Sequence, residues 1–143
     1  MRIEFTERQP YLHWHYVYQP LVSVTLRANG LATPTYGILD SGADSCLFHS
    51  SLADDLGIVV SQGVASEIFG INPDQPIVGY THTVEIDVGN VPIGEVEVDF
   101  SSEIEDDWSH QLIGRNPVFD RLRIGFRQSL SKGWIYLGGD GSR

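Results

Sequence analysis

The stretch Tyr36–Phe48, YGILDSGADSCLF, is apolar or small as far as Leu39 and then sets down a carboxylate, Asp40, followed by Ser41, Gly42, Ala43 and Asp44. An ionisable group at the end of an apolar strand is costly to bury, so it needs either hydrogen-bond partners or a chemical task. Other reactive side chains carry weaker cases. Cys46 lies in the same apolar stretch with no obvious histidine partner, so a buried thiol is expected rather than a nucleophile. His13 and His15, two apart on a strand, would share a face and could hold a metal. No cysteine or carboxylate cluster stands near them in sequence, so packing or interface surface is the expected use. The acidic run Ser101–Trp108 lacks the spaced ligands and turn glycine of a calcium loop, and a solvated loop is expected. His49 and His110 have no motif around them. No metal and no cofactor is expected.

The elements that would position Asp40 are mostly short strands. Leu21–Arg27 alternates apolar and polar residues, and Asn29-Gly30 is a strong turn signal. HTVEIDVGN and IGEVEVDF also alternate, with GNVP as a hairpin-like connection, and RLRIGF with GWIYLG forms a further strand pair. Two helix signals stand among them. HSSLADDLGI offers Ser50 or Ser51 as cap, acids in the early turns and Gly57 as a left-handed stop. NPVFDRL offers Asn116 as cap and Pro117 at the first helical position. Many short strands with two short helices predict an all-β, barrel-like domain.

Composition bounds the partners. Of 143 residues, 41% are hydrophobic and 20% charged, which is ordinary for a globular chain. With 9 Lys+Arg against 19 Asp+Glu, the formal charge is −10, which disfavours nucleic acid and anionic lipid. One cysteine forms no intramolecular disulfide, in keeping with a reducing compartment. The opening MRIEFTERQPYLHWHY holds no apolar run of signal-peptide length, and no stretch approaches a membrane span. A soluble, cytoplasmic protein is expected, and no linker divides residues 1–143, so one domain is expected.

Three segments then fit one template: ILDSGAD (Ile38–Asp44), EIFGINPDQPIVGYTH and HQLIGRNPVFDRLRIGF. In that order they resemble the retropepsin family of single-domain aspartic proteases, over roughly Leu21 to Phe126. That family carries Asp-Thr/Ser-Gly-Ala at its catalytic turn, a β-hairpin flap, and an Ile/Leu-Ile/Leu-Gly-Arg-Asn/Asp segment before a C-terminal helix. The resemblance implies a mainly β, single-domain closed β-barrel with one or two short helices. The core would span about residues 20–138, with 1–19 as an N-terminal extension.

The resemblance also assigns roles. Asp40 is the implied catalytic residue of an aspartic endopeptidase, with Ser41, Gly42 and Ala43 supporting its loop. Gly42 allows a tight turn beside the carboxylate, and Ser41 offers a hydroxyl to hydrogen-bond across a crowded loop. Leu112-Ile113-Gly114 suits a strand packed under that loop. The family's chemistry needs two carboxylates sharing a proton around a water. The chain holds a single Asp-Ser/Thr-Gly, so the second Asp40 must come from another copy, and a homodimer acting on a peptide or protein is implied. Asp44 and Arg115 match an acid–arginine pair near the family's dimer contact, expected to be bidentate and partly buried. The flap maps to Ile68–Tyr80, with Phe69, Gly70 and Ile71 meeting substrate and Asn72-Pro73-Asp74 at a tip stiffened by two prolines. The long N-terminal segment and the C-terminal strand pair depart from the viral pattern, so the subunit contact need not use intertwined termini. The alternative is a binding or dimerisation module of the same fold, catalytically weak or inactive.

Overall fold

Alternation of apolar and polar side chains, punctuated by residues that tolerate positive φ, gives this chain a set of mostly antiparallel strands. The computed structural model describes residues 1–129 and 132–139. Its strands in chain order are β1 (Glu7–Pro10), β2 (Leu12–Trp14), β3 (Val17–Gln19), β4 (Leu21–Ala28), β5 (Leu31–Leu39) and β6 (Leu47–His49). After the helix α1 (Ser50–Asp55) come β7 (Val64–Ile68), β8 (Ile77–Val88), β9 (Val91–Ser101), β10 (Leu112–Ile113), β11 (Leu122–Gln128) and β12 (Gly133–Gly139).

β4 and β5 form a hairpin in which Ala28 faces Leu31 across Asn29-Gly30, both at positive φ (54° and 73°). That is the turn geometry Asn-Gly favours, because it matches strand twist. β8 and β9 form a second hairpin, Val88 opposite Val91 across Gly89-Asn90. Seven strands join in the order β4-β5-β10-β6-β9-β8-β7, and β4 also pairs with β8. The hydrogen-bonded path from β4 through β5, β10, β6, β9 and β8 therefore returns to β4. Its inward side chains include Val22, Leu26, Phe48, Ile86, Phe100 and Ile113, all wholly buried. The fold is mainly β, as expected.

Helical structure is shorter than expected. Gly57 (φ 68°) stops α1 as anticipated, but the cap is His49, whose Nδ1 accepts the Ser51 N–H at 3.1 Å, not Ser50 or Ser51. Asp54 and Asp55 fall at its end rather than in an early turn, and Asp55 is held there by the buried Thr33 hydroxyl at 3.1 Å. The NPVFDRL helix reduces to about one turn after a non-helical Asn116. Leu122 is already in β11, paired with Gly139, because its side chain is buried in the core.

The first nineteen residues hold more structure than their sequence signalled. β1 pairs with β12, which pairs with β11, so the terminal strands make a three-stranded sheet inside one chain. β12 sends Ile135 and Leu137 into the main core. β2 and β3 form a small hairpin whose turn residues His15 and Tyr16 have positive φ. His15 therefore leaves the strand, and the shared face expected for His13 and His15 does not form. His13 packs against Tyr18 instead, the two rings tilted at 43°.

Asp107 holds this hairpin to the body. It accepts hydrogen bonds from Trp14 Nε1 at 2.9 Å, from the Ser109 hydroxyl at 2.6 Å and from the Ser109 N–H at 2.8 Å, and it contacts His15 Nε2. Trp14 also stacks on Trp108 at 4.6 Å. Burial pushes the Asp107 carboxyl up, but the bonds from Ser109, Trp14 and His15 outweigh it and hold the group well below the usual carboxylate range. The expectation of a merely solvated acidic loop fails at this residue. A depressed folded-state pKa contributes stability above the unfolded value and loses it as pH falls. The stability advantage of the native chain over Asp107→Asn should accordingly be constant above about pH 5 and shrink as pH drops below about 4. Urea unfolding of both proteins across that range checks it.

Candidate active site

Asp40 follows β5 directly, and two short segments fix its backbone. β10 runs parallel to the end of β5, with Leu112 beside Ile38 and Ile113 beside Leu39. The Asp40 N–H donates to Ile113 O at 3.0 Å, and the Ala43 N–H donates to Asp40 O at 3.1 Å. Beyond β10 the chain returns the contact: Arg115 N–H donates to Ala43 O at 2.9 Å and Asn116 N–H to Asp44 O at 3.0 Å. Gly114 lies between these bonds. A Cβ there would stand 2.2 Å from Ser45 O and 2.8 Å from Ala43 O, so only glycine admits the loop backbone.

The Asp40 side chain is fixed locally. The Gly42 N–H donates to Asp40 Oδ1 at 2.8 Å. A Cβ on Gly42 would lie 3.1 Å from that oxygen, so the glycine leaves room beside the carboxylate, at an ordinary negative-φ backbone. Ser41 differs from expectation. It is exposed, and its hydroxyl crosses no crowded loop and has no hydrogen bond among the described residues. Cys46 is wholly buried as expected; burial pushes its thiol up to about 11, and the Asp99 carboxylate adds to the rise.

A cleft of about 420 Å³ opens over Asp40. The β7–β8 hairpin covers one side, and its connection 69–76 carries the expected tip, where the Asp74 N–H donates to Asn72 Oδ1 at 2.9 Å. Phe69, Gly70 and Ile71 all line the cleft, and Phe69 is strongly exposed. A larger groove of about 590 Å³ lies beside the Asn29-Gly30 turn. It contains neither Asp40 nor any of the other candidate site residues, so the smaller cleft is the candidate site.

Arg115 Nη2 contacts Asp44 Oδ1, as the motif implied. The side chains are 54% and 88% exposed and make one contact, so the bidentate, partly buried form does not occur within the chain. An exposed single contact is worth about 0–1 kcal/mol.

No protein-family model matches the sequence, and no curated protein matches it significantly. Solved structures do. A retropepsin-like aspartic protease from Rickettsia conorii superposes with a TM-score of 0.53 at 10% identity, over 97% of this chain and 99% of that one. The EIAV protease, complexed with the inhibitor HBY-793, superposes with a TM-score of 0.50 at 18% identity, over 76% of this chain and 93% of that one. The chain has the retropepsin-like fold.

Within this retropepsin-like fold, two polar residues escaped the sequence reading. Gln111 is buried, and its amide donates to Thr35 Oγ1 and Tyr36 O, both at 2.8 Å, while Oε1 accepts the His49 N–H at 3.0 Å. It ties β5 to β6 on either side of the Asp40 loop. Its position directly before the LIG triplet was the available signal. Asp99, the only acid of β9 lining the cleft, accepts from Thr81 Oγ1 at 2.6 Å and from Ser45 Oγ at 3.2 Å. In sequence it is one more alternating polar residue.

The loop is thus held by backbone contact more than by charge. Gly114→Ala should cost about 1–3 kcal/mol or more through overpacking against Ser45 O. Arg115→Ala should cost under about 1 kcal/mol in the isolated chain. Denaturant midpoints of the two variants test this ordering, and the reverse order would contradict it.

Proposed function

We propose that the chain is an aspartic endopeptidase whose site is completed by a second copy, with Asp40 of each subunit forming the dyad. The observation that carries this reading is Asp40 itself: a half-buried carboxylate at a strand end, lining a cleft and fixed by Gly42 N–H. A carboxylate in that position serves catalysis better than stability, since a neutral residue would be cheaper there. The retropepsin-like fold supports the same class.

In the proposed dyad one Asp40 is ionised and its counterpart protonated, because two like charges a few Å apart do not both ionise readily. The ionised carboxylate takes a proton from a water as the water oxygen attacks the scissile carbonyl carbon. The protonated carboxylate gives its proton to the carbonyl oxygen, forming a tetrahedral diol. Collapse of the diol breaks the C–N bond: the carboxyl that took the water proton gives it to the departing amine nitrogen, and the other carboxylate takes a proton from one diol hydroxyl as the C=O re-forms, which restores the singly protonated pair. Ser41 and Gly42 lie exposed beside Asp40 and would face the second copy, with Asp44 and Arg115 near the contact. The β7–β8 hairpin would serve as the flap. Gly70 would offer its backbone N–H to an extended peptide, and Phe69 and Ile71 an apolar roof. The alternative, a binding module of the same fold, is favoured by the proline-bearing connection 69–76, which departs from a Gly-rich flap tip.

Cleavage of a peptide library between about pH 4 and 7 tests the reading. Asp40→Asn should reduce turnover about a thousandfold or more, and a pepstatin-type inhibitor should block the native protein. Specific activity should rise with protein concentration as dimers form, and sedimentation should find a species of twice the chain mass. Cleavage undiminished in Asp40→Asn would end the dyad proposal, and no cleavage at any pH would favour the binding module.

A further inference from the structure

We propose that the outer face of the terminal sheet β1-β12-β11 is a docking surface for an acidic segment of a partner protein. Residues opposite one another in neighbouring strands share a face. Arg8, Tyr136 and Gly125 are opposite one another, as are Pro10, Trp134 and Arg127, and Arg123 is opposite Gly138. Ile135 and Leu137 alternate with these residues and enter the core, so the face that holds the arginines points to solvent. Arg8, Arg123 and Arg127 are exposed, Trp134 and Tyr136 are half-buried, and no acid belongs to the face. None of these residues lines the Asp40 cleft.

The surface differs from solvated arginines at a sheet edge in its charge and in its construction. The chain has 19 Asp+Glu against 9 Lys+Arg, yet residues 11–119 hold all but four of the acids and only two of the cations, Arg27 and Arg115. Those two are paired, with Asp87 and Asp44, whereas Arg8, Arg123 and Arg127 meet no carboxylate among the described residues. The three are also laid down rather than left free. The Arg8 guanidinium lies 4.2 Å over the Trp134 ring. Phe5 packs on Gly125, where a Cβ would come within 2.9 Å of its ring, and stands 5.7 Å from Tyr136. Arg123 lies over Gly138, where a Cβ would come within 3.2 Å of Nη2, and its Nε donates to Glu4 O at 3.1 Å. A guanidinium that is stacked or tethered in this way keeps N–H groups at its edge and loses little further freedom on binding, which suits a carboxylate.

The same construction selects among anions. Bases stack on bare rings, but Arg8 covers Trp134 and Phe5 meets Tyr136. A long polyanion or an anionic membrane meets the chain's formal −10, whereas a short acidic segment meets the local field, since charges beyond about 10 Å are screened. Arg123 and Arg127 are four residues apart on β11, about 13 Å, and Arg8 is about 10 Å across β12 from the Gly125 between them. Side chains four apart in an extended peptide have the same spacing as the β11 pair. An extended segment with acids at alternate positions therefore fits this face.

The test is fluorescence anisotropy on the full chain with a short labelled peptide alternating Glu and Thr, beside a counterpart carrying Gln for Glu. The Gln peptide should bind at least about tenfold more weakly. Arg123→Gln and Arg127→Gln should each weaken binding of the Glu peptide about two- to fivefold, the range of one exposed charge pair, and together remove its advantage over the Gln peptide. Arg27→Gln changes the net charge equally elsewhere and should leave binding unchanged. Where Arg123→Gln does not fold, having lost its bond to Glu4 O, Arg127→Gln decides alone. Equal binding of the two peptides, failure of both to bind, or equal weakening by Arg27→Gln overturns the proposal. So does tighter binding of an oligothymidylate or of phosphatidylserine vesicles through the same arginines, or a self-association that the double variant abolishes. Asp40→Asn should bind the Glu peptide as the native chain does, whether or not the chain cleaves peptides, and loss of binding there would assign the peptide to the Asp40 cleft instead.

Discussion

The approach of two backbones at Gly114 is the constraint on which the site depends. Ser45 O and Ala43 O come so close to its Cα that no side chain fits, and the hydrogen bonds on either side, Asp40 N–H to Ile113 O and Arg115 N–H to Ala43 O, require that closeness. A strand of two residues, β10, would be a weak element alone. Wedged between β5 and β6 and stitched by buried Gln111, it becomes the floor that sets the height of Asp40. The carboxylate itself then needs a single local bond, from Gly42, and keeps its remaining capacity for chemistry.

That floor was legible in the sequence because its parts are local and chemically distinctive. An apolar strand ending in Asp, and a distant apolar pair followed by glycine, are patterns of type and spacing. The hairpins were legible for the same reason, since Asn29-Gly30 and Gly89-Asn90 carry their geometry in their residues. What escaped depends on tertiary context. His49 caps α1 although serines follow it, because its imidazole is already fixed beside the helix start. The turn after Pro117 stops at β11 because burying Leu122 against the core outweighs another turn of helix. Asp99 and Gln111 look like any polar residues of their segments, and only the fold reveals that both stand at the Asp40 loop.

The N-terminal segment shows the same limit from the other side. Glu7–Pro10 has neither the alternation nor the branched residues of a strand, yet β1 forms because β12 offers an unpaired edge and Glu7 meets the β8–β9 turn. The Asn90 N–H donates to Glu7 Oε1 at 2.7 Å. The aromatic cluster after it reads as a surface in sequence, but Trp14 spends its face on Trp108 and its N–H on Asp107. Trp108 in turn meets Tyr36 of β5, four residues before Asp40. The extension is therefore joined to the strand that delivers the candidate catalytic residue.

Charge sets the terms for the proposed assembly. Each copy carries a formal charge of −10, so two copies repel at long range until salt screens them within about 10 Å. The terminal sheet β1-β12-β11 is already formed inside one chain, so it does not require strands from a partner. The exposed surface nearest Asp40 is Ser41, Gly42 and the Asp44–Arg115 pair. Arg115 is then the cation best placed to offset repulsion at that contact, and an ion pair of little worth in one chain gains value when a second surface desolvates it.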